Sequence, residues 1–354
     1  MNGRPTRTIA VDTLRDFMER LLVAAGASAE NARDCAGVFL DADLRGITLQ
    51  GLDHMSSMLR SLRNGKIAGA ARPVVVRETA ATVLIDGNRG PGQVAGMLAC
   101  DLAVKKAREA GTCAVAVRNS SDGFMVGYYV DRIAREGLIG FIFSDAPPLV
   151  RPHGGVERIL GTNPLAIGIP TGGPNPMVFD MATSARSASR VRQAAYHNED
   201  IPGAEGVDSK GRFSVKATEV RDGAIGPLAG AKGFGLGMMV ALFSGPLTGS
   251  ECGKALNPWF DPAPGHLPGK GHLFIAINPA AFGDEQDFRM NVGAYLDKVR
   301  HSRKAPGVEE IRVPGVRAGM TRERSLREGR VTLYEAIWDN IKKVAHDLNV
   351  TVPA

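Results

Sequence analysis

The chain has 354 residues, 44% of them hydrophobic and 23% charged, with 43 glycines and a formal net charge of +6. That length suits two or three domains, and the composition excludes a disordered, collagen-like or coiled-coil chain. The basic residues are scattered rather than gathered into runs, which argues against a nucleic-acid surface and is compatible with anionic small molecules.

The first 65 residues read as three helices. Asp12 or Thr13 is expected to cap "LRDFMERLLVAAG", which stops at Gly26, and Ser28 to cap "AENARDCAGVFLDADLRG". Thr48 is expected to cap the third. On it Leu49, Leu52, Met55, Leu59 and Leu62 recur at helical spacing, and Gln50, His54, Ser57 and Ser61 fall on the opposite side. From periodicity alone, that polar face is a solvated surface.

Beyond Pro73 the pattern changes to short strands at 74–76 and 82–86, then a helix from Gln93 to Ala110 that ends at Gly111. "CAVAVRN" reads as a strand, "MVGYYVDRIAREG" as a helix with Gly137 past its end, and "LIGFIFSD", "LAIGIP" and "MVFDM" as strands. Residues 171–227 read as loop-rich, and "GFGLGMMVALFSG" as a glycine-started helix. The most linker-like stretch is "NPWFDPAPGHLPGKG", residues 257–271, with four prolines and three glycines. "HLFIAIN" is a strand and "EQDFRMNVGAYLDKVRHSR" a helix.

An arginine-rich helix follows near 315–330, where Glu323 and Glu328 interrupt five arginines without aromatic interleaving; it reads as a solvated face. "LYEAIWDNIKKVAHDLNV" closes the chain as an amphipathic helix. The fold class is mixed α/β, with helical N- and C-terminal segments around a sheet-rich middle.

Cys35, Cys100, Cys113 and Cys252 form no CxxC pair and have no His at metal-ligand spacing, so a reducing compartment and no metal are expected. The N-terminus lacks the apolar run of a signal peptide, and no stretch is long and apolar enough for a membrane span. A cytoplasmic location is expected.

Two segments can carry chemistry. In "GAKGFGLGMM", residues 230–239, Lys232 supplies a positive charge, Gly233 and Gly235 bare the backbone, and the helix start offers unpaired N–H groups. That suits a phosphate or a carboxylate, but glycines at this spacing also suit close helix packing. In "FDMATSAR", Asp180, Thr183 and Ser184 follow an apolar strand, as a ligand site or as an ordinary turn. No GxGxxG follows a strand, and no Walker A, GxSxG or HExxH string occurs.

Taken together, "DADLRG", "LRNGKI", "IDGNRGPGQVA", "REGLIGFIFS", "GTNPLAIGIP", "FDMATS", "IPGAEGVDSKG", "LAGAKGFGLGMMVALFSGPLTG", "HLFIAINPAAFG" and the "VPG" of 313–315 resemble, in order, the malate/L-lactate dehydrogenase-like family. The likeness runs from about residue 8 to 350. This family also holds sulfolactate, ureidoglycolate and diketogulonate dehydrogenases and Δ1-piperideine-2-carboxylate reductases.

The resemblance implies an oxidoreductase using NADH or NADPH on a small-molecule substrate. It implies the L-sulfolactate dehydrogenase-like fold, which is non-Rossmann, and a homodimer with the site between domains. Residues 1–75 and 318–354 would form a helical domain, 76–121 and 267–317 an α/β dimerisation and substrate domain, and 122–266 the NAD(P)-binding domain. Ser121, Asp180, Met181, Ala182, Thr183, Ser184, Lys232, Gly233 and Gly315 match positions that line the cofactor.

The departures fall on the substrate side. Where the family writes Ser-His-Gly, its His a proposed proton donor, this chain has Leu49, Gln50 and Gly51. Where an Arg holds the substrate carboxylate, it has His54, and Met58 replaces a Tyr. Asp122 stands for a second His, His153 for a Trp, and Val316 for a Glu.

Gln50 cannot act as an acid, and His54 reproduces a guanidinium grip only in part and only when protonated. Gln50, His54, Asp122, His153 and Asp208 are therefore the candidate catalytic residues. The polar face at Gln50 and His54 becomes a pocket wall, and a 2-oxo acid becomes a doubtful substrate. The expected activity is NAD(P)H-dependent reduction of a C=O, C=N or conjugated C=C bond of an unusual small molecule in a specialised biosynthetic pathway. The alternatives are a reaction with bound nicotinamide and no net redox change, or a protein that kept the fold and lost catalysis.

Overall fold

The computed structural model describes residues 5–260 and 269–353. β1 (Thr6–Ala10) runs straight into α1 (Val11–Ala24), followed by α2 (Ala29–Leu44), a 3-10 turn at Thr48–Gln50 and α3 (Leu52–Arg63). Next come β2 (Val74–Glu78), β3 (Thr82–Asp86), α4 (Gly92–Ala110), β4 (Thr112–Ser120), α5 (Gly127–Arg135) and β5 (Ile139–Ser144). β6 (Leu165–Ile169), β7 (Met177–Met181), α6 (Ala188–Tyr196), β8 (Gly206–Val207), β9 (Phe213–Ser214), α7 (Ala217–Asp222) and α8 (Ala231–Ser244) follow. The chain closes with β10 (Lys270–Ile277), α9 (Glu285–Arg300), α10 (Val316–Glu328), β11 (Arg330–Tyr334) and α11 (Glu335–Asp347).

Mixed α/β architecture is as expected. One seven-stranded sheet has the order β2-β3-β4-β10-β5-β6-β7, with β3 and β4 parallel across α4 and the other neighbours antiparallel. A parallel pair needs a crossover, and α4 supplies it. The helical part packs around Phe17, Phe39 and Trp338, all buried, and each such side chain contributes about 2 kcal/mol. A second core lies between the sheet and α4 and α5, around Tyr129 and Phe274.

Four local expectations need correction. β1 pairs with β11 antiparallel, Thr6 opposite Tyr334 and Ala10 opposite Arg330, so both ends of the chain contain strands as well as helices. Neither Asp12 nor Thr13 caps α1, which begins at Val11 with Ala10 at its N-cap. The carbonyl of Gly329 takes the Val11 N–H at 3.0 Å instead. Residues 171–227 contain α6, α7 and the β8–β9 hairpin besides β7. Finally, Thr48 opens the 3-10 turn, and α3 starts only at Leu52.

Ser28 does cap α2, accepting the Asn31 N–H. Of the linker-like stretch, 261–268 lies outside the described residues, while Lys270 and Gly271 belong to β10.

Candidate active site

β10 runs antiparallel to both β4 and β5, so the C-terminal ends of those strands flank its first residues. Lys270 pairs with Ser120, and His272 with Ser144. This brings together polar side chains far apart in sequence. Lys270 Nζ lies 2.6 Å from Asp122 Oδ1, with the lysine side chain at 0% exposure and the aspartate at 41%. Desolvation opposes the Asp122 charge, but the Lys270 ammonium outweighs it and holds the carboxyl below the usual range.

His272 is buried, with Nε2 2.9 Å from the Ser121 carbonyl and Nδ1 2.8 Å from Ser144 Oγ. A carbonyl only accepts, so Nε2 donates and Ser144 donates to Nδ1. Burial pushes this imidazole down to about 4, against the pull of the Ser121 carbonyl. Asp145, at the end of β5, is buried and pushed up to about 7 by desolvation; the N–H groups of Ala146 and Gly253 and the charge of Lys270 work the other way.

α3 brings further groups beside this pair. Asp43 Oδ2 accepts the Leu52 N–H at 2.9 Å. A Cβ on Gly51 would meet the same carboxylate at 2.1 Å, which fixes glycine there. His54, in the first turn of α3, has Nδ1 3.1 Å from Gln50 Oε1. Since the amide oxygen accepts, Nδ1 carries the proton and Nε2 keeps its lone pair. Phe124 stands edge-on to His54 with ring centroids 5.0 Å apart. Burial, then the charges of Arg192 and Lys270, hold His54 down at about 4 against the pull of Asp122. Arg192 itself pairs with Asp53 at 3.2 Å.

The cofactor-side strings meet elsewhere, along the end of β7. Asp180 Oδ2 accepts the Gly127 N–H at 2.8 Å, at the start of α5. Met181 and Ala182 are half-exposed. Thr183 Oγ1 donates to the Asn163 carbonyl at 3.1 Å, Ser184 Oγ donates to the Arg186 carbonyl at 2.7 Å, and the Thr183 carbonyl takes the Leu228 N–H. These contacts lay the strand end beside the loop leading into α8.

Gly233 serves close packing, because a Cβ there would lie 1.9 Å from the Leu228 carbonyl oxygen. The first turn of α8 is nonetheless open to a ligand: no side chain caps it, Gly235 has nothing within 4 Å of a built Cβ, and Lys232 is exposed. Uncapped N–H donors with a lysine fit the phosphates of a dinucleotide. Of the two readings of the glycine run, close packing is seen at Gly233, and the uncapped start beside Lys232 and Gly235 is compatible with an anion. Gly315, at φ 84°, brings its loop onto β7, where a Cβ would be 2.7 Å from the Val178 nitrogen.

Among the candidates, Gln50, His54 and Asp122 come together, with Ser121 just behind, accepting the Gly92 N–H on its Oγ at 2.8 Å. His153 is exposed and lies against Gly230, on the α8 side. Asp208 accepts N–H bonds from Lys210 and Arg212 and pairs with the Arg212 guanidinium, bracing the β8–β9 turn. Lys270, His272, Asp145, Phe124 and Arg192 were not expected in the site. Only Lys270 carried a signal, as a cation directly before an apolar strand, and it lay in a segment whose prolines and glycines read as linker.

Among the described residues no helix is long and apolar enough to cross a membrane. The family model for malate/L-lactate dehydrogenase matches residues 9–342. A malate dehydrogenase of Pyrococcus abyssi is 35% identical over 97% of this chain and 95% of its own length. A Δ1-pyrroline-2-carboxylate/Δ1-piperideine-2-carboxylate reductase of Pseudomonas syringae pv. tomato is 32% identical over 97% of both chains. The crystal structure of malate dehydrogenase from Entamoeba histolytica superposes with a TM-score of 0.91 at 30% identity, covering 99% of this chain and 100% of the other. The chain belongs to the malate/L-lactate dehydrogenase family, and with it to the NAD(P)-dependent oxidoreductases.

Proposed function

We propose that this protein is an NADH- or NADPH-dependent reductase of a C=O, C=N or conjugated C=C bond in a small molecule other than a simple 2-oxo acid. The observation that carries this reading is the neutral His54, tied to Gln50 where the family pattern has a proton-donating histidine and a carboxylate-holding arginine. A nicotinamide, when bound, supplies the hydride. The chain's own residues do the rest: Lys232 and the start of α8 hold phosphate, and the Asp122–His54 wall orients the acceptor. A C=N already protonated in water needs no enzyme acid, which suits a pocket whose glutamine cannot provide one.

The same reading carries a cytoplasmic homodimer serving a specialised biosynthetic pathway, with the three-part division of the chain set out above. The apolar face of α8 supports the pairing, because Leu236, Met239, Leu242 and Phe243 are exposed on a helix apolar all round. The test is NADH or NADPH consumption at 340 nm against cyclic imines, ketones, enones and 2-oxo acids. Turnover is expected with one of the first three classes. Preferential turnover of pyruvate or oxaloacetate would remove the substrate part of the reading, and cofactor binding without any net consumption would favour a reaction with no net redox change.

A further inference from the structure

Beside Asp122 lies a buried cation that the family strings do not point to. Lys270, the first residue of β10, holds its ammonium 2.6 Å from Asp122 Oδ1 with no exposure of its own side chain, while Asp122 is 41% exposed. Burying an ammonium costs several kcal/mol unless carboxylates and hydrogen bonds compensate. An apolar residue would serve the start of a buried strand at less cost. The arrangement also has a direction, with the cation inside and the carboxylate outward.

The groups around the pair share a property. His54 is uncharged, with its Nδ1 proton engaged by Gln50 and its Nε2 lone pair left over. His272 has both nitrogens engaged by Ser144 and the Ser121 carbonyl. Arg192 is paired with Asp53, and Asp145 feels Lys270 from β5. What this wall offers at contact distance includes two acceptors, the Asp122 carboxylate and His54 Nε2.

We propose that Lys270 is a positioning residue: it sets the Asp122 carboxylate outward beside His54, and these two acceptors select a substrate carrying a cationic, hydrogen-bond-donating nitrogen in place of a carboxylate. This rests on the reductase reading above and narrows it to substrates such as a protonated C=N without a neighbouring carboxylate. Lys270 cancels much of the Asp122 field at long range, so selection is made at contact, where a charge-assisted N–H···O bond is roughly twice as strong as a neutral one.

Two measurements on the full chain test it. The Asp122 carboxyl is followed by carbon-13 NMR during a pH titration, its signal assigned by its loss in Asp122→Asn. In Lys270→Met the carboxyl is expected to titrate about two units higher than in the unmodified chain, and in Lys270→Arg near the original value. An unchanged titration in Lys270→Met overturns the positioning role.

The second measurement is calorimetric binding of pyrrolidinium and of oxamate to the chain saturated with NADH or NADPH. Pyrrolidinium is expected to bind at least about tenfold tighter, with the preference lost in Asp122→Asn. Equal or tighter oxamate binding overturns the selection, and this comparison stands on the unmodified chain even where Lys270→Met fails to fold. A chain that binds neither nucleotide overturns the reductase reading instead, and the titration still decides the role of Lys270.

Discussion

His54 Nδ1 lies 3.1 Å from Gln50 Oε1, across the junction between the 3-10 turn and α3. A neutral amide fixes the tautomer without stabilising a charge. Replacing it by a carboxylate adds that stabilisation. In Gln50→Glu the imidazole, held at about 4 in the unmodified chain, is expected to titrate about one unit or more higher. Ring-proton NMR reads the shift, and an unchanged value means that Gln50 does not face Nδ1 in solution.

Asp145 makes stability depend on pH. Its carboxyl titrates at about 7 in the folded chain against an ordinary 3.8, chiefly because burial disfavours the charge. Folding takes up a proton between those values, so stabilisation present below about pH 4 is lost as the pH rises to about 7. Three units correspond to roughly 4 kcal/mol as an order of magnitude. Asp145→Asn removes the ionisation and is expected to raise the melting temperature at pH 8 by roughly 5 °C, with little gain at pH 4. Parallel melting curves across this range in both proteins would show that Asp145 is not the group responsible.

Lys232 and Gly233 allow the proposed ligand binding and the packing at the start of α8 to be tested apart. Lys232 is exposed, so Lys232→Ala is expected to leave the melting temperature unchanged. A charged hydrogen bond to phosphate is worth about 1.5–3 kcal/mol, and nucleotide affinity is expected to fall roughly tenfold or more. Gly233→Ala puts a methyl group 1.9 Å from the Leu228 oxygen and is expected to lower both affinity and melting temperature. Calorimetry and thermal melts distinguish the two, and equal effects in both variants would count against a phosphate role for the lysine.

Arg45 ties three helices together. Its guanidinium meets Asp41 at 2.5 Å and Asp131 at 3.1 Å, and Asp41 also holds Arg322 at 2.6 Å. Asp41, Asp131 and Arg322 belong to α2, α5 and α10, and Asp41, Asp131 and Arg45 are buried. Arg45→Met leaves Asp131 with one partly exposed arginine and is expected to cost roughly 3–5 kcal/mol in urea unfolding. A cost under about 1 kcal/mol would mean that the network is solvated.

Elements ended by local chemistry were legible in the sequence: Ser28 caps α2, and Gly111, in a left-handed conformation, ends α4. Elements that exist only through distant pairing were not. β1 and β11 are five residues each and meet from opposite ends of the chain, so no window of sequence contains the pair.

The site divides in the same way. Gln50 and His54 are four apart and meet across the Gly51 junction between the 3-10 turn and α3, so their contact is local in sequence. Lys270 reaches Asp122 only because β10 inserts between β4 and β5, a choice made by sheet topology. Asp208 shows the converse: an aspartate in a "DSKG" turn first serves its own backbone.

The proposed function joins a nicotinamide site to a substrate side that departs from the family pattern at Gln50 and His54. It stands or falls on calorimetric titration of the full chain with NADH and with NADPH, followed by oxamate into the complex. Saturable binding of at least one nucleotide is expected, weakened by Lys232→Ala, with weak or undetectable heat from oxamate. Binding of neither nucleotide, or tight oxamate binding in the complex, overturns it.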